Sequence, residues 1–431
     1  METTKQRMYL CIDGKSFYAS VECAERGLNP FETNLVVADP DRGKNALCLA
    51  ISPKMKALGV HNRCRLSDIP GNIKYEIAIP RMSLYVDYCA DIYALYLNYF
   101  AAEDIHVYSI DEAFIDVTEY LKMYNMDAKQ LAKKLMNEIA DTLHVPTTAG
   151  IGTNLYLAKI ALDITAKKTR DHMGYLDEET FRKTLWDHQP LTDFWGIARG
   201  KANRLSHYGI FTMRGIATAP QELLYKAFGV DAELMIDHAW GRETCLMQDI
   251  KNYKSKSHSV SFSQILPRDY DYDEAAVVMA EMAIHGCLEL YKRHVITKKV
   301  WIGVGYSRYE QYSPAQGSIK LNCPTQLSSI IEPAVKQKFR EIVAWGVPIR
   351  NLAIAFCDTR DEGCEGYDLF TDWEKVDKEK AVERTVLEVR DKFGKNAVLR
   401  AINLNKAGTQ RERNTFIGGH RAGYDDERTA R

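Results

Sequence analysis

The sequence of 431 residues lacks any apolar run close to the roughly 20 residues that a membrane-spanning helix needs. None of its ten cysteines belongs to a C-x-x-C pair, which favours reduced, buried thiols over a zinc site or a disulfide set. The chain begins with a strand-like apolar run and has no secretion-signal pattern. We therefore expect a cytoplasmic protein with no membrane partner and about three or four domains.

A strong charge of either sign is also missing. The 57 Lys and Arg residues nearly balance the 58 Asp and Glu residues, for a net charge of −1, which argues against a uniformly basic nucleic-acid binder. The balance is uneven, because residues 251–360 hold fifteen Lys and Arg against ten Asp and Glu, a net charge of +5. A near-neutral total can therefore hide a locally basic face that binds phosphates.

Strand and helix patterns predict a sheet in the first part of the chain. A buried strand at residues 8–12 ends in Asp13, and a hairpin at residues 105–117 carries Asp111 and Glu112 near its bend. A further strand at 147–152 follows, and helical patterns lie between these strands. The order is the β-α-β-β-α-β order of a ferredoxin-like sheet.

The remaining stretches have weaker patterns. Residues 28–78 are predicted to form a small insert with two strands and a helix, which Ser52 would cap, and residues 176–250 to form short helices. Residues 257–358 repeat the β-α-β-β-α-β order, and a tail from residue 371 opens with an amphipathic helix. The apolar face of that helix would carry Val382, Val386, Val389 and Phe393. From about residue 406 the composition is polar and typical of a disordered segment.

The three acidic residues Asp13, Asp111 and Glu112 would meet if the first strand pairs beside the hairpin. Like charges at close range repel, so such a cluster requires cations. Two Mg²⁺ ions about 3.5–4 Å apart, or Mn²⁺ in their place, would neutralise the three carboxylates and support nucleotidyl transfer. The alternative is that each acidic residue is a solvated turn residue at a strand end.

Five motifs point to a known family. They are CIDGKSFYASVE (11–22), LAISPKMKALGV (49–60), YSIDEAFIDVT (108–118), GIGTNLYLAKIALDITAKK (150–168) and FWGIARGKANRL (194–205). With them, the chain resembles the Y-family translesion DNA polymerases, most closely the UmuC-like branch of Gram-positive bacteria and their mobile elements. The resemblance implies a multidomain α+β right-hand polymerase. Its parts would be a ferredoxin-like palm (1–27 and 79–170), small fingers (28–78), a helix-hairpin-helix thumb (171–250), a little finger (251–358), and a linker with a tail (359–431).

The implied activity is low-fidelity DNA-directed DNA synthesis across lesions, in DNA damage tolerance and the SOS response, with mutagenesis as a consequence. The substrates would be primer-template DNA and a dNTP. The partners would be a sliding clamp, a UmuD-like subunit and a recombinase filament, at the nucleoid. The short fingers insert and its small residues Ala50, Ser52 and Pro53 favour a roomy site that accepts distorted templates.

The resemblance also assigns residues to the active site. Asp13, Asp111, Glu112 and the carbonyl of Gly14 would bind the metal ions. Tyr18 would be the steric gate against ribonucleotides, with Phe17 lining the same floor. Ser52, Lys56 and Lys167 would contact the triphosphate, the first two near the N-terminus of the fingers helix.

The DNA and clamp contacts follow in the same way. Gly196, Gly200, Lys201 and Arg204 of the thumb would hold a phosphate, although Ala198 stands where relatives carry a glycine. In the little finger the implied DNA contacts are Ser257, Ser259, Ser261, Ser263, Lys298, Lys299 and Arg308. Asp368, Leu369 and Phe370 would form the clamp-binding peptide.

Two other functions remain open from the sequence. A nucleotide cyclase or a nuclease could use the same palm-type sheet and would turn over without a primer. A non-catalytic DNA- and clamp-binding scaffold would need a defect in the carboxylate set, and the sequence has none.

Overall fold

The structure is a computed structural model that describes residues 7–255, 258–363 and 372–423. Ser257 and the predicted clamp peptide Asp368, Leu369 and Phe370 lie outside these ranges. The chain divides into two compact units, Met1–Tyr253 and Lys254–Arg431. In the described ranges no helix has the length and apolar character required to cross a membrane.

A five-stranded sheet forms the palm at the centre of the first unit. Its strands are β1 (Tyr9–Gly14), β2 (Ile105–Val107), β3 (Glu112–Asp116), β4 (Thr147–Gly152) and β5 (Met173–Leu176). They lie in the order β2-β3-β1-β4-β5, and all pairs are antiparallel except β4 with β5. The first four strands confirm the predicted ferredoxin-like order. The fifth was not predicted, and it extends the palm past the expected limit at residue 170.

Helices cover both faces of this sheet. They are α1 (Phe17–Glu25), α2 (Met82–Leu97), α3 (Ala128–Leu143) and α4 (Leu155–Ile160), with a shorter helix at Tyr120–Tyr124 and a 3₁₀ turn at Ala102–Asp104. Leu10 and Ile12 of β1 share a core with α1, α2 and α3, whereas Tyr9 and Cys11 pack against α4. Alternate side chains of a strand point to opposite faces, so β1 is buried on both sides and is apolar from Tyr9 to Ile12, before Asp13.

The helix α4 continues as a π-helical turn at Ala161–Thr165 and a 3₁₀ turn at Ala166–Lys168. It packs very closely on the sheet, since a Cβ added to Gly150 would lie 2.1 Å from the Ala158 carbonyl oxygen. A π-helical turn shifts the phase of a helix and often lies at a functional site. Here it separates two lysines of the candidate site, one on each side of the turn.

The fingers and the thumb consist of short elements. The fingers have strands Leu35–Val37, Ala50–Ile51 and Glu76–Ala78, helix Pro53–Ala57, and 3₁₀ turns at Pro40–Arg42 and Leu66–Asp68. The third of these strands was not predicted; it pairs parallel to the first. The thumb helices are Glu178–Leu185, Arg199–Ser206, Met213–Thr218, Gln221–Phe228, Asp231–Trp240 and Met247–Asn252, with a 3₁₀ turn at Leu191–Asp193.

The second unit is built on a separate antiparallel sheet. Its strands are β6 (Val260–Tyr270), β7 (Val295–Tyr306), β8 (Ala315–Thr325) and β9 (Ile349–Cys357), and its helices are α5 (Tyr272–Lys292) and α6 (Ser328–Ile342). A short strand at Arg360–Asp361 pairs with β7. The sheet order is β8-β7-β9-β6. The order of elements along the chain is the one predicted, but the first strand lies at the sheet edge, whereas in the palm it lies inside the sheet.

The tail folds onto the second unit, and two predictions for it are wrong. Its elements are α7 (Trp373–Phe393), a 3₁₀ turn at Ala401–Leu404, a helix at Gln410–Arg413, and a hairpin of Phe416–Ile417 with His420–Arg421. On the predicted apolar face, Val382 and Phe393 are 52% and 58% exposed. Val386 and Val389 of that face are half-buried, and the helix also packs through Val376 and Leu387, against Tyr291 and Leu327.

The segment after residue 406, predicted to be disordered, has a well-defined polar anchor. The carboxylate of Glu281, on α5, is buried and accepts hydrogen bonds from Asn403 Nδ2 at 2.8 Å, Thr409 N at 2.7 Å and Gln410 N at 3.2 Å. Polar residues can therefore order this segment, because their donors satisfy a buried charge.

Candidate active site

The pairing of β1 with β3 brings the predicted carboxylates to one place. Asp13 lies directly opposite Glu112 in the strand register, and Gly14 N donates a hydrogen bond of 2.8 Å to the carbonyl oxygen of Asp111. Cα atoms of directly opposed residues are about 4.5–5.5 Å apart in an antiparallel pair. Asp13, Asp111 and Glu112 thus share the end of this strand pair, although about 100 residues separate the first from the others.

The electrostatics of Asp13 are unfavourable without a cation. Burial, and then the negative charges of Asp111 and Glu112, raise the pKa of Asp13 to about 8. Within the described ranges, no hydrogen bond or ion pair reaches its carboxylate. An acidic group in this position is stabilised by a bound cation more than by any neighbour it has in the protein.

Asp111 and Glu112 have partners of their own. Ser109 Oγ donates a hydrogen bond of 2.6 Å to Asp111 Oδ1. Glu112 accepts from Cys11 Sγ at 3.0 Å and, through its other oxygen, from Lys159 Nζ at 2.8 Å. Lys159 is buried, which alone would lower its pKa, but the charges of Glu112 and of Asp163 at 3.2 Å raise it. Lys159 therefore remains charged and neutralises Glu112.

These partners explain why the cluster is not a ready-made metal centre. Among the described residues, no group of three Asp, Glu, His or Cys side chains already has the arrangement of a metal-ligand set. Glu112 is held by Lys159 and Asp111 by Ser109, while Asp13 faces both acidic neighbours. The donors are hard oxygen ligands, and the uncompensated charge of Asp13 fits binding of Mg²⁺ or a similar cation.

Aromatic residues at the start of α1 adjoin the carboxylates. Tyr18 is half-buried, and burial followed by the negative charge of Asp111 raises its pKa. Phe17, whose ring centroid lies 5.9 Å from that of Tyr18, is only 2% exposed. Its ring packs so closely on Gly14 that an added Cβ there would lie 2.7 Å from Phe17 Cδ2. Phe17 is therefore enclosed in the core, and of the two rings only that of Tyr18 is exposed enough to meet a ligand.

A group of lysines lies beside the acidic cluster. Burial lowers the pKa of Lys56, Asp13 acts to raise it, and Lys167 lowers it further, so Lys56 lies near both. Burial and the charge of Lys56 lower the pKa of Lys15, whose Nζ lies 3.3 Å from His172 Nε2. No salt bridge involves Lys15, Lys56 or Lys167 within the described ranges. Mutually repelling cations without anionic partners are typical of a phosphate-binding site.

Ser52 does not join this group. Its hydroxyl is fully buried, donates to the carbonyl oxygen of Thr33 at 2.7 Å, and accepts from Leu35 N and Met55 N, each at 3.3 Å. The predicted helix cap is therefore present, while the phosphate contact of Ser52 stays a prediction. The hydroxyl has no free donor, and protein atoms cover it.

Comparisons with known proteins agree with this geometry. Residues 12–163 match the model of the impB/mucB/samB family, and residues 254–369 match that family's C-terminal domain. The putative UV-damage repair protein UvrX of Bacillus subtilis is 30% identical over 424 residues, which cover 96% of this chain and 97% of that protein. The chain belongs to the impB/mucB/samB family.

Other similarities extend over the same length. A protein of Bacillus subtilis named DNA polymerase IV 2 is 29% identical over 425 residues, 96% of this chain and 99% of its own. Among solved structures, a Y-family DNA polymerase chimera matches with a TM-score of 0.62 and 20% identity, over 81% of this chain and 98% of its own. The predicted Y-family, UmuC-like membership and the right-hand polymerase fold are confirmed.

In this impB/mucB/samB family member, two charged thumb residues have partners within the protein. Arg204 donates a hydrogen bond of 2.9 Å to the carbonyl oxygen of Ala227, and Lys201 lies 3.5 Å from Asp231. The bond to Ala227 uses Nη1, one of several donor groups of the Arg204 guanidinium, so the phosphate contact of Arg204 stays a prediction. The segment before them is one 3₁₀ turn rather than a full helix.

The glycine turn of the thumb differs from the expected strain. Gly196 has a φ of +87°, in the left-handed region, and Gly200 lies inside the helix Arg199–Ser206. Ala198, the helix N-cap, has φ −83° and ψ 172°. That conformation is extended and open to any residue, so an alanine at position 198 does not strain the turn.

One face of the sheet of the second unit carries small residues on two neighbouring strands. Ser261 and Ser263 of β6 are exposed and lie opposite Ala355 and Ala353 of β9. Small side chains there would let a phosphate backbone approach the strands. The remaining predicted contacts are Ser259 and Lys299, which are exposed, Lys298, which is half-buried, and Arg308, which is exposed and lies 4.8 Å from the ring centroid of Tyr309.

The sequence analysis missed two charged residues of the site, Lys15 and Lys159. Both lie within the motifs quoted above, Lys15 two positions after Asp13, and Lys159 four positions before Asp163 on one helix. The spacing of four residues places Lys159 and Asp163 on the same helix face. That spacing is the signal that could have found Lys159, whereas nothing in the sequence pairs Lys159 with Glu112.

Proposed function

We propose that this protein is a DNA-directed DNA polymerase of low fidelity that performs translesion synthesis in DNA damage tolerance. The observation that carries the proposal is the pairing of Asp13 with Glu112 beside Asp111, at the end of a palm-type sheet. The relatives named DNA polymerase IV 2 and UV-damage repair protein support it over almost the full length of the chain.

Asp13, Asp111, Glu112 and the carbonyl of Gly14 would hold two divalent cations, Mg²⁺ in the cell. When bound, the cations would lower the pKa of the primer 3′-hydroxyl and offset charge on the triphosphate. The protein's own part is to keep three carboxylates together before the cations arrive. Lys159 does this for Glu112, since its charge offsets that carboxylate in the buried site.

The basic cluster would bind the triphosphate of the incoming dNTP. Burial and the charge of Lys56 lower the pKa of Lys15, and burial and the charge of Lys167 lower the pKa of Lys56. Phosphate oxygens bound among these three lysines would relieve their repulsion. A phosphate held there lies close to Asp13, because Asp13 acts on the pKa of Lys56. Positioning of this kind supplies most of the catalysis in phosphoryl transfer.

Tyr18 would present its ring to the sugar of the nucleotide and exclude a 2′-hydroxyl by contact. The fingers support low fidelity, because their only helix among the described residues of 28–78 is the five-residue Pro53–Ala57. A helix of that length cannot close over the nascent base pair as a long one would. The site therefore checks base-pair shape weakly and tolerates damaged templates.

The partners follow from the same proposal. The exposed residues Ser261, Ser263 and Lys299 of this sheet would contact the DNA backbone without reading bases. A sliding clamp, a UmuD-like subunit and a recombinase filament remain predictions from the family resemblance. So does a location at the nucleoid in the cytoplasm.

Primer extension tests the proposal. With Mg²⁺ and dNTPs, the purified protein should extend a primer past an abasic site, and Asp111→Asn should abolish extension while DNA binding persists. The matched control, Glu103→Gln at an exposed acidic residue of the palm, should extend like the wild type. Nucleotide turnover without a primer, or no incorporation by the wild type beside an active control polymerase, would overturn the proposal.

A further inference from the structure

The ring of Tyr18 lies against that of another tyrosine, Tyr85 of α2. The two ring centroids are 4.7 Å apart and the rings are inclined by 28°, a stacked arrangement. Tyr85 is completely buried, whereas Tyr18 is half-buried. Tyr85 thus forms a wall behind Tyr18.

This wall is fixed by a buried carboxylate. Tyr85 Oη donates a hydrogen bond of 2.7 Å to Glu22 Oε1. Arg81 holds the same carboxylate with two bonds, from Nε at 3.0 Å and from Nη2 at 2.8 Å, and Arg26 donates to it as well. Burial alone would raise the pKa of Glu22, but these donors lower it, so the carboxylate stays charged and the chain of contacts stays intact.

The hydroxyl of Tyr18 has no hydrogen bond of its own within the described ranges. Its ring is therefore held by packing, and Tyr85 is the stacked partner. Exclusion by contact depends on stiffness, because a ring that yields by a fraction of an ångström makes room for an extra hydroxyl. A rigid backing converts an aromatic ring into a strict size filter.

We propose that Tyr85, held by Glu22 and Arg81, is a positioning residue that sets how strictly Tyr18 rejects ribonucleotides. The inference rests on the proposed polymerase function and on the steric-gate assignment of Tyr18. It adds a specificity determinant outside the nucleotide site, since Tyr85 touches the gate and not the substrate. A purely structural Tyr85 would change stability and leave sugar selection as it is.

The test compares two changes at Tyr85 with a matched control on the same helix. Tyr85→Phe removes the bond to Glu22 and keeps the stack, whereas Tyr85→Leu removes the stack. Tyr88→Phe removes a similar tyrosine–carboxylate bond, of 2.8 Å to Glu25, at a residue that does not stack on Tyr18. Tyr18→Ala opens the gate directly. The readout is kcat/KM for dCTP and for CTP opposite a template guanine, on the full chain with primer-template DNA.

Discrimination against CTP should fall about tenfold in Tyr85→Leu and about threefold in Tyr85→Phe, mainly through a lower KM for CTP, because the loosened ring admits the 2′-hydroxyl. The Tyr88→Phe control should discriminate like the wild type, and Tyr18→Ala should lose the most. Incorporation of dCTP should remain within about threefold of the wild type in Tyr85→Phe.

Wild-type discrimination in both Tyr85 variants, with a large loss in Tyr18→Ala, would overturn the inference and leave the polymerase proposal standing. No loss in Tyr18→Ala would overturn it together with the gate assignment. Absence of dCTP incorporation by the wild type would instead defeat the polymerase proposal itself. If Tyr85→Leu does not fold, as judged by circular dichroism, Tyr85→Phe alone is the test. A threefold fall in its discrimination against CTP supports the inference, and wild-type discrimination overturns it.

Discussion

Asp13 in the first unit and Glu281 in the second are both shielded carboxylates, but they differ in the hydrogen bonds that they accept. Glu281, 1% exposed, accepts three hydrogen bonds from the C-terminal tail. Asp13 accepts none within the described ranges, and burial with two acidic neighbours raises its pKa to about 8. The fold supplies hydrogen-bond donors to Glu281, and among the described residues it supplies none to Asp13.

The difference separates structural carboxylates from candidate ligands. A buried charge costs free energy unless hydrogen bonds or an opposite charge compensate it. Glu281 meets this requirement within the protein, and so does Glu22 through Arg81, Arg26 and Tyr85. The charge of Asp13 is compensated only when a cation binds beside it. The neighbouring lysines indicate that this cation would arrive with a triphosphate.

The largest expected effect concerns Asp13, the carboxylate without hydrogen-bond donors among the described residues. Asp13→Asn should reduce nucleotide incorporation by at least about a thousandfold, because a cation ligand is lost. The melting temperature in EDTA should not fall, since the change removes a carboxyl group whose charged form is unfavourable beside Asp111 and Glu112. Single-turnover incorporation and thermal unfolding measure the two effects. A marked loss of metal-free stability with activity preserved would make Asp13 a structural residue.

The second effect concerns Lys159, whose positive charge compensates Glu112 in the carboxylate cluster. Lys159→Met should destabilise the metal-free protein by about 3 kcal/mol, because Glu112 is then buried without its counter-charge. Mg²⁺ should restore part of the loss, since a cation can replace the lysine charge. Urea unfolding in EDTA and in Mg²⁺ provides the comparison. Equal destabilisation under both conditions would contradict the idea that the lysine substitutes for a metal ion.

The third effect concerns Glu281, the carboxylate whose hydrogen-bond donors come from the C-terminal tail. Glu281→Gln should destabilise the protein by about 2 to 3 kcal/mol, because one amide nitrogen faces donors that need an acceptor. A control on the same helix is Glu289→Gln, whose half-exposed carboxylate lies 3.8 Å from Arg293 and contributes less than about 1 kcal/mol. Urea unfolding of the two variants should therefore separate them, and similar values would show that the tail does not depend on Glu281.

The smallest effect is a pH dependence at His285 on the same helix α5. Burial lowers the pKa of His285 to about 4, and its Nδ1 has no hydrogen-bond partner among the residues that the structure describes. His285 binds a proton at higher pH in the unfolded chain than in the folded one. Its contribution to the free energy of unfolding is therefore fully present above the unfolded pKa and falls on acidification toward pH 4. At pH 5 the loss should be about 2 kcal/mol. His285→Phe should remove that part of the pH slope, measured by urea unfolding at pH 5 and pH 7.5, and an unchanged slope would count against it.

Local patterns predicted much of the fold. The apolar run of β1, the hairpin before Glu112 and the cap at Ser52 depend on neighbouring residues, and the structure has all three. The carboxylates could be found because strand ends meet wherever a ferredoxin-like order holds.

Features that depend on distant partners were missed. Lys159 neutralises a residue 47 positions away, and the tail is ordered by Glu281, more than 100 positions before it. The face of α7 was misjudged because Glu383, a charged residue, is buried beside Arg400, while Val382 is left outside. Periodicity counts apolar residues and cannot register a charge that is buried with its partner.

The most direct test of the cation site is a crystal of the protein with primer-template DNA, a non-hydrolysable dNTP and Mn²⁺, measured at the manganese absorption edge. Two anomalous peaks among the carboxylates of Asp13, Asp111 and Glu112 are the expected result. A complex with nucleotide bound and no peak at these carboxylates would contradict the account.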